Sequence, residues 1–218
     1  MIKDNVVFLR EFLKEFQTTG TMFPSSPWAA KALTNPLRGK QRPQRIVELG
    51  PGTGPVTVKI LSDMRDGDTL TLCEINPRFM AVLKENLKDN PDYTRHRERI
   101  TFFQGPVQDL PETVQYDVIV CAIPFLNLDL SVVKDIFAKL ERISTKDAVM
   151  TYYEYIGLRT IGKVVAAPER KRRLKELDGF FKSMQSEKQV ERERVWLNLL
   201  PINIYTLEIQ GRNREMRA

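Results

Sequence analysis

Val47-Glu48-Leu49-Gly50-Pro51-Gly52-Thr53-Gly54 joins an apolar run to a glycine-rich turn, and Pro55 to Met64 follows as a helical stretch with proline in the tolerated first turn. A glycine turn between a strand and a helix lets backbone approach a ligand closely and sets helix N-terminal amides beside it. The spacing narrows the ligand. A dinucleotide fingerprint needs Gly-x-Gly-x-x-Gly; Gly50 and Gly52 fit its first half, but its last glycine falls on Pro55, and Gly54 completes Gly-x-Gly-x-Gly instead. No Gly-Lys-Ser/Thr follows, so a phosphate loop is excluded as well. Glu48, at the end of the strand, would repel a pyrophosphate and suits a cation such as a sulfonium carrying an ammonium group. Glu74 stands 20 residues beyond Gly54, at the end of the next strand, where a carboxylate accepts from both ribose hydroxyls. The plainer alternative makes Glu48 and Glu74 two solvated strand-end acids.

Outward from this turn the pattern repeats as strand, turn and helix. Strands are predicted over 45–49, 69–75, 100–104, 116–122 and 148–155. Helices are predicted over 55–64, after the Asn76-Pro77 cap with Phe79, Met80, Leu83 and Leu87 on one face, and over 131–143 with Val132, Ile136 and Leu140 in one stripe. Alternation of this kind implies a mainly parallel, doubly wound sheet. Residues 159–190 read as charged and helical, with Gly179 as a candidate break. Residues 193–199 and 202–210 read as two strands around Leu200-Pro201, and so short a connection joins only antiparallel partners. The expected fold is thus α/β: a Rossmann-like sheet of seven strands, mainly parallel with a C-terminal antiparallel hairpin. Ahead of it lie a helix over 2–17 (Ile2, Val6, Leu9, Leu13, Phe16), a loop, a short helix over 28–33 behind a Ser26-Pro27 cap, and a polar linker over 35–43.

The chain has 218 residues, enough for a single domain with a substantial core. Its hydrophobic share of 42% and charged share of 28% describe a globular protein. No apolar run reaches the roughly 20 residues of a membrane span, and Lys3, Asp4, Arg10 and Glu11 interrupt any secretory pattern at the start. Cys73 and Cys121 fall in predicted buried strands, which fits a reduced cytoplasmic compartment better than disulfides. His96 is the sole histidine, and its neighbours Arg95 and Arg97 predict a surface position; no metal site is expected. The net charge of +6 favours an anionic partner, either nucleic acid or a membrane surface, or simply serves solubility. It is concentrated in Glu169-Arg170-Lys171-Arg172-Arg173-Leu174-Lys175 and in the tail from Arg212 to Arg217.

Glu48, Gly50, Pro51, Gly52, Gly54 and Glu74 together resemble the cofactor motif of class I S-adenosylmethionine-dependent methyltransferases. The resemblance implies S-adenosylmethionine as cofactor and S-adenosylhomocysteine as product. It also implies Ile75 and Ala122 among the cofactor-binding residues. After the third strand, Gly105-Pro106-Val107-Gln108 stands where the family has Gly-Asp-Ala or similar. Pro106 removes the usual side-chain hydrogen bond, leaving backbone near Val107, or the Gln108 amide, to meet adenine. The loop after the fourth strand, Ala122-Ile123-Pro124-Phe125-Leu126-Asn127, is implied to lie beside the transferred methyl. Amine methylases often carry Asn/Asp-Pro-Pro-Tyr/Phe there; Ala122 replaces the amide or acid, which disfavours adenine N6 as acceptor.

The loop is closer to the Leu-Pro-Leu-Leu-Asn form of bacterial phospholipid N-methyltransferases. The stretch from Phe8 through Gly20-Thr21-Met22-Phe23-Pro24-Ser25-Ser26 resembles that family's N-terminal helix and Gly-x-x-x-Pro-Ser segment, which brings Thr21 and Ser25 to the cofactor. Tyr152-Tyr153-Glu154-Tyr155 and the ending from Val195 to Tyr205 resemble it more loosely. The implied function is N-methylation of a lipid head-group amine, phosphatidylethanolamine first and ornithine lipid second. Asn127, Tyr153 and Tyr155 would hold or desolvate the ammonium, with Pro124 and Phe125 shaping the acceptor loop; tyrosine faces attract methylated cations, though sheet packing explains the same tyrosines. An RNA adenine N6-methyltransferase, a small-molecule amine methylase and a non-enzymatic cofactor-binding module remain the alternatives. A lipid acceptor implies a cytoplasmic protein docked peripherally on an anionic membrane, through Phe8, Leu9, Phe12, Leu13 and Phe16, with Trp28 and the basic run near Arg170 assisting.

Overall fold

The computed structural model describes residues 26–39, 41–156, 168–198 and 200–211. The expected helix over 2–17, Thr21, Ser25 and the basic tail from Arg212 lie outside them.

Seven strands form one sheet: β1 (Arg45–Leu49), β2 (Thr69–Glu74), β3 (Ile100–Gln104), β4 (Tyr116–Cys121), β5 (Ser144–Tyr155), β6 (Gln189–Val195) and β7 (Ile202–Glu208). Their order is β3-β2-β1-β4-β5-β7-β6. The first five run parallel, and β7 is antiparallel to both β5 and β6. The expected architecture is the one found. The order reverses between β1 and β4, and in open α/β sheets ligands bind outside the carboxyl ends of the strands at such a switch point.

Helices cover both faces: α1 (Pro27–Leu33), α2 (Pro55–Asp63), α3 (Pro77–Leu87), α4 (Pro91–His96), α5 (Leu130–Arg142) and α6 (Pro168–Lys188). Strand alternation divides the core between them. Val47, Leu49, Ile119, Cys121, Met150 and Tyr152 pack against α5 and α6; Ile46, Leu70, Leu72, Val118 and Val120 pack with apolar residues of α1, α2 and α3. Two expected caps are present. Ser26 Oγ accepts from Ala29 N at 3.2 Å, and Asn76 Oδ1 accepts from Arg78 N at 2.9 Å.

Several local expectations are corrected. In α5 it is Val133, with Ile136, Phe137 and Leu140, that faces inward at the i, i+3, i+4, i+7 spacing of one helical face, while Val132 is exposed at its border. Gly179 does not break α6, because an exposed helical glycine costs only about 1 kcal/mol. The strand expected over 193–199 is β6, at Gln189–Val195: its charged residues pair with β7, and apolar Trp196 and Leu197 occupy the turn instead. Residues 91–96 form α4 behind an Asn90 cap, and the helix turns His96 inward. His96 is buried, not superficial, with Arg99 Nη2 2.8 Å from its Nδ1. Burial, then Arg99 and Arg95, lower its pKa from the ordinary 6.5.

Candidate cofactor and acceptor site

The strand ends bring the sequence motifs together by continuing the sheet's hydrogen bonding into the loops. Gly50 N donates to Cys73 O (2.9 Å), Gly105 N to Glu74 O (3.0 Å), and Ala122 N to Leu49 O (2.8 Å). The glycine turn, the Glu74 loop, the Gly105–Val107 loop and the acceptor loop are thereby stitched side by side along one edge.

Gly50, Gly52 and Gly54 all take positive φ (70°, 58° and 97°), the left-handed region that favours glycine. A Cβ on Gly50 would stand 3.2 Å from Ile123 Cγ1, so that glycine also permits the acceptor loop to approach the turn. Gly54 N closes the turn on Pro51 O at 3.0 Å, and Val58 N, bonded to Gly54 O, opens α2. Asn86 Nδ2, from α3, donates to Thr53 O at 2.9 Å.

Glu74 is buried at the end of β2. Its Oε2 accepts from Gly52 N at 3.1 Å and its Oε1 from Asn76 N at 2.8 Å. One carboxylate therefore fixes the turn and keeps lone pairs for further donors. Ile75 beside it is 67% exposed, an apolar shelf on the rim of the edge. Val107 is buried and Gln108 half-buried in the short turn that follows β3.

Glu48 is fully buried on the α2 side of the sheet. Its Oε2 accepts from Thr57 Oγ1 at 2.6 Å, and its Oε1 has no partner among the described residues. Burial pushes its pKa up to about 8, with the Thr57 hydroxyl pulling back and the Glu74 carboxylate pushing further. A neutral acid beside a glycine turn fits a cationic ligand, which would restore its charge. Thr57 was not singled out by sequence, although it sits one helical turn into α2 and faces the strand it follows.

The acceptor loop leaves β4 at Ala122, which is buried; Ile123, Pro124, Leu126 and Asn127 are half-buried. Asn127 N donates to Pro124 O at 3.0 Å, folding 125–127 into one 3-10 turn. The Phe125 ring points into the core, with centroids 5.5 Å from Phe137, 6.1 Å from Tyr152 and 5.6 Å from Phe181. It anchors the loop from below. Tyr153 and Tyr155 lie on the opposite face of β5, edge to face at 5.4 Å. Burial holds both phenols above the ordinary 10, Tyr153 the more strongly. The structure therefore does not gather Phe125 and the two tyrosines around one point; they flank the end of the sheet from its two sides. Glu154, passed over by the sequence reading, is a buried carboxylate on the Phe125 side of β5, two residues past Tyr152, which pairs with Cys121. Alternation from Tyr152 is the signal that finds it.

Among the described residues no cluster of three His, Cys, Asp or Glu side chains suits a metal ion, and no helix is long and apolar enough to cross a membrane.

Residues 46–147 match the family model of the methyltransferase domain. Over these residues the chain carries a methyltransferase domain, and its seven-stranded sheet with the glycine turn at the switch point is the fold of the class I S-adenosylmethionine-dependent enzymes. It is 25% identical over 148 residues, 65% of this chain and 73% of the relative, to an ornithine lipid N-methyltransferase of Singulisphaera acidiphila. The fold recurs in the O-methyltransferase of Bacillus cereus solved with S-adenosylhomocysteine (TM-score 0.60, 15% identity, 90% of this chain and 89% of that one). It recurs too in the O-methyltransferase TomG of Streptomyces achromogenes solved with S-adenosylmethionine (TM-score 0.62, 15% identity, 89% and 85%).

Proposed function

We propose that this enzyme methylates the head-group amine of a membrane lipid. The observation that carries the reading is the similarity to the ornithine lipid N-methyltransferase, which extends over about two thirds of the chain. That relative sets ornithine lipid beside phosphatidylethanolamine, the acceptor first expected from the Ile123-Pro124-Phe125-Leu126-Asn127 loop. Both lipids present a primary amine.

When bound, the cofactor would supply an electrophilic methyl on its sulfonium to the neutral amine, formed when the ammonium gives its proton to water; the C–N bond would form as the C–S bond breaks, leaving the electron pair on sulfur as the thioether of S-adenosylhomocysteine. The protein's contribution is positioning. Glu74 accepts from the ribose hydroxyls while holding the turn through Gly52. Gly50, Pro51, Gly52 and Gly54 bring backbone to the methionyl part, Glu48 takes up negative charge as that part's ammonium approaches, and Thr21 and Ser25 are proposed as further cofactor contacts. Ile75, Val107 and Gln108 bracket adenine. Ala122 borders the cofactor, Pro124 and Asn127 line the path of the acceptor on one side, and Tyr153 and Tyr155 offer aromatic faces to a methylated cation. Glu154 adds a carboxylate at the same edge that attracts the incoming ammonium.

The test offers methyl-labelled cofactor with four acceptors in parallel: anionic vesicles carrying phosphatidylethanolamine, the same vesicles carrying ornithine lipid, total RNA, and a polar metabolite pool. Label is expected in the lipid fraction. Label confined to RNA or to the metabolites overturns the proposal.

A further inference from the structure

The chain has two tryptophans, distant in sequence, and both stand at one place on the surface. Trp28 is 55% exposed near the start of α1; Trp196 and Leu197 are 62% and 66% exposed in the turn between β6 and β7. They line one open groove of about 470 Å³ together with Lys31, Arg38 and Arg194. A half-exposed indole beside cations is unusual for a surface with no partner, since large apolar side chains exposed together mark interaction sites.

The patch is held in shape. Ser26 N donates to Asn198 Oδ1 at 3.0 Å, and Asn198 Nδ2 donates to Leu200 O at 3.0 Å, so the hairpin turn is pinned to the N-terminus of α1. Thr151 Oγ1 donates to Leu33 O at 2.7 Å and fastens the other end of α1 to the sheet.

Its position is the second observation. β7 is antiparallel to β5 and to β6, so β6 points the same way as β1 and β4. Val195 pairs with Ile202, which pairs with Tyr155. The Trp196-Leu197 turn thus stands on the same edge of the sheet as Gly50, Glu74 and the acceptor loop. Three strand spacings, roughly 14 Å, separate β6 from β4.

We propose that Trp28, Trp196 and Leu197, ringed by Lys31, Arg38 and Arg194, dock this edge on an anionic bilayer, presenting the acceptor loop to lipid head groups. The inference rests on the lipid reading given above. Charge decides the occupant: three cations and the single carboxylate Glu193 border the groove, and Lys31 and Arg194 are exposed. Indoles are amphipathic and settle at the head-group level, where basic side chains meet phosphates. The docked edge is the one from which an amine on a lipid must enter, so docking and catalysis share one geometry.

Because both tryptophans belong to the patch, intrinsic fluorescence reports on it alone. Full-length protein is titrated with vesicles of phosphatidylglycerol, phosphatidylcholine and the aminolipid, with bromine on the acyl chains in one series, using wild type, Trp28→Phe and Trp196→Phe. Emission is expected to move to shorter wavelength and to be quenched by bromine in all three. Trp28→Ala and Trp196→Ala should each lower vesicle partitioning about tenfold, and Lys31→Gln and Arg194→Gln about fivefold each. All four should keep cofactor affinity and should methylate a short-chain, monomerically dissolved aminolipid at the wild-type rate. Vesicle binding with silent tryptophans overturns the proposal, as does an emission shift that arises with RNA, or on self-association without vesicles. Failure of wild type to methylate even the dissolved aminolipid sinks the lipid reading itself, and is thereby distinguished from failure of docking.

Discussion

Glu48 and Glu74 end neighbouring strands, yet their environments part them. Glu74 receives two backbone N–H groups, and its carboxylate is the acceptor that a ribose requires. Glu74→Ala removes these bonds and frees the turn at Gly52; hydrogen bonds to a charged group are worth about 1.5–3 kcal/mol each. Affinity for S-adenosylmethionine is expected to fall by about 30-fold or more, read by calorimetry, and unchanged affinity would mean the ribose is held elsewhere. Glu48 is the opposite case. Its pKa is raised from 4.5 to about 8, chiefly by burial, so the folded state binds the proton more tightly than the unfolded chain. The stabilisation this brings is fully present below about 4.5 and is lost as pH rises through about 8. Thermal stability of the cofactor-free enzyme should therefore decline across that window, and Glu48→Gln, which cannot ionise, should flatten the decline. A cationic cofactor favours the carboxylate, so binding at neutral pH should release protons. Calorimetry in buffers of different ionisation enthalpy detects them in the wild type and not in the Gln variant.

At the scale of the element, the glycine turn is one unit with α2 and α3. Gly54 has φ 97°, and a Cβ there would stand 2.7 Å from Leu83 Cδ1, a fully buried core side chain. Backbone strain and the displaced leucine add up. Gly54→Ala should destabilise by about 2–3 kcal/mol, a fall in Tm of about 4–12 °C, with cofactor affinity lost alongside. A circular-dichroism melt that matches the wild type would show that the turn can flip without cost. The β6–β7 hairpin shows where elements escape sequence patterns. Trp196 and Leu197 are good strand formers, and their apolar character placed the strand too late in the chain. The pairing instead begins at Gln189 and runs through four consecutive charged residues, Glu191 to Arg194, because register with β7 decides which residues pair. The same physics returns in α5, where packing against the sheet decides which edge of the apolar stripe is buried and takes Val133, not Val132, into the core.

For the whole molecule, what matters is that one edge of one sheet carries the glycine turn, Glu74, the loop over 122–127 and the exposed tryptophans. The parallel strands put their carboxyl ends together, and the reversed β7 returns β6 to the same direction. Docking belongs to this scale, because no single segment contains the patch: Trp28 and Trp196 are 168 residues apart. The predicted loss of vesicle partitioning with unchanged turnover of a dissolved aminolipid follows because the proposed docking patch and the proposed acceptor loop are different residues, roughly 14 Å apart across the sheet.

The sequence by itself determined the cofactor class and the fold. Both follow from local rules: the spacing of Gly50, Gly52 and Gly54, the position of Glu74, and the alternation of strand and helix periods, each readable within about 20 residues. Only the tertiary structure decided the rest. It buried Glu48 against Thr57 and raised its pKa, turned His96 inward, sent Phe125 and Tyr153 to opposite faces of the sheet, added Glu154 to the edge, and joined Trp28 to Trp196. Burial, register and the meeting of distant segments are sums over non-local contacts, and no window of the sequence contains both partners. The glycine turn that identifies the cofactor is the local part of this enzyme. The proposed docking surface joins segments 168 residues apart.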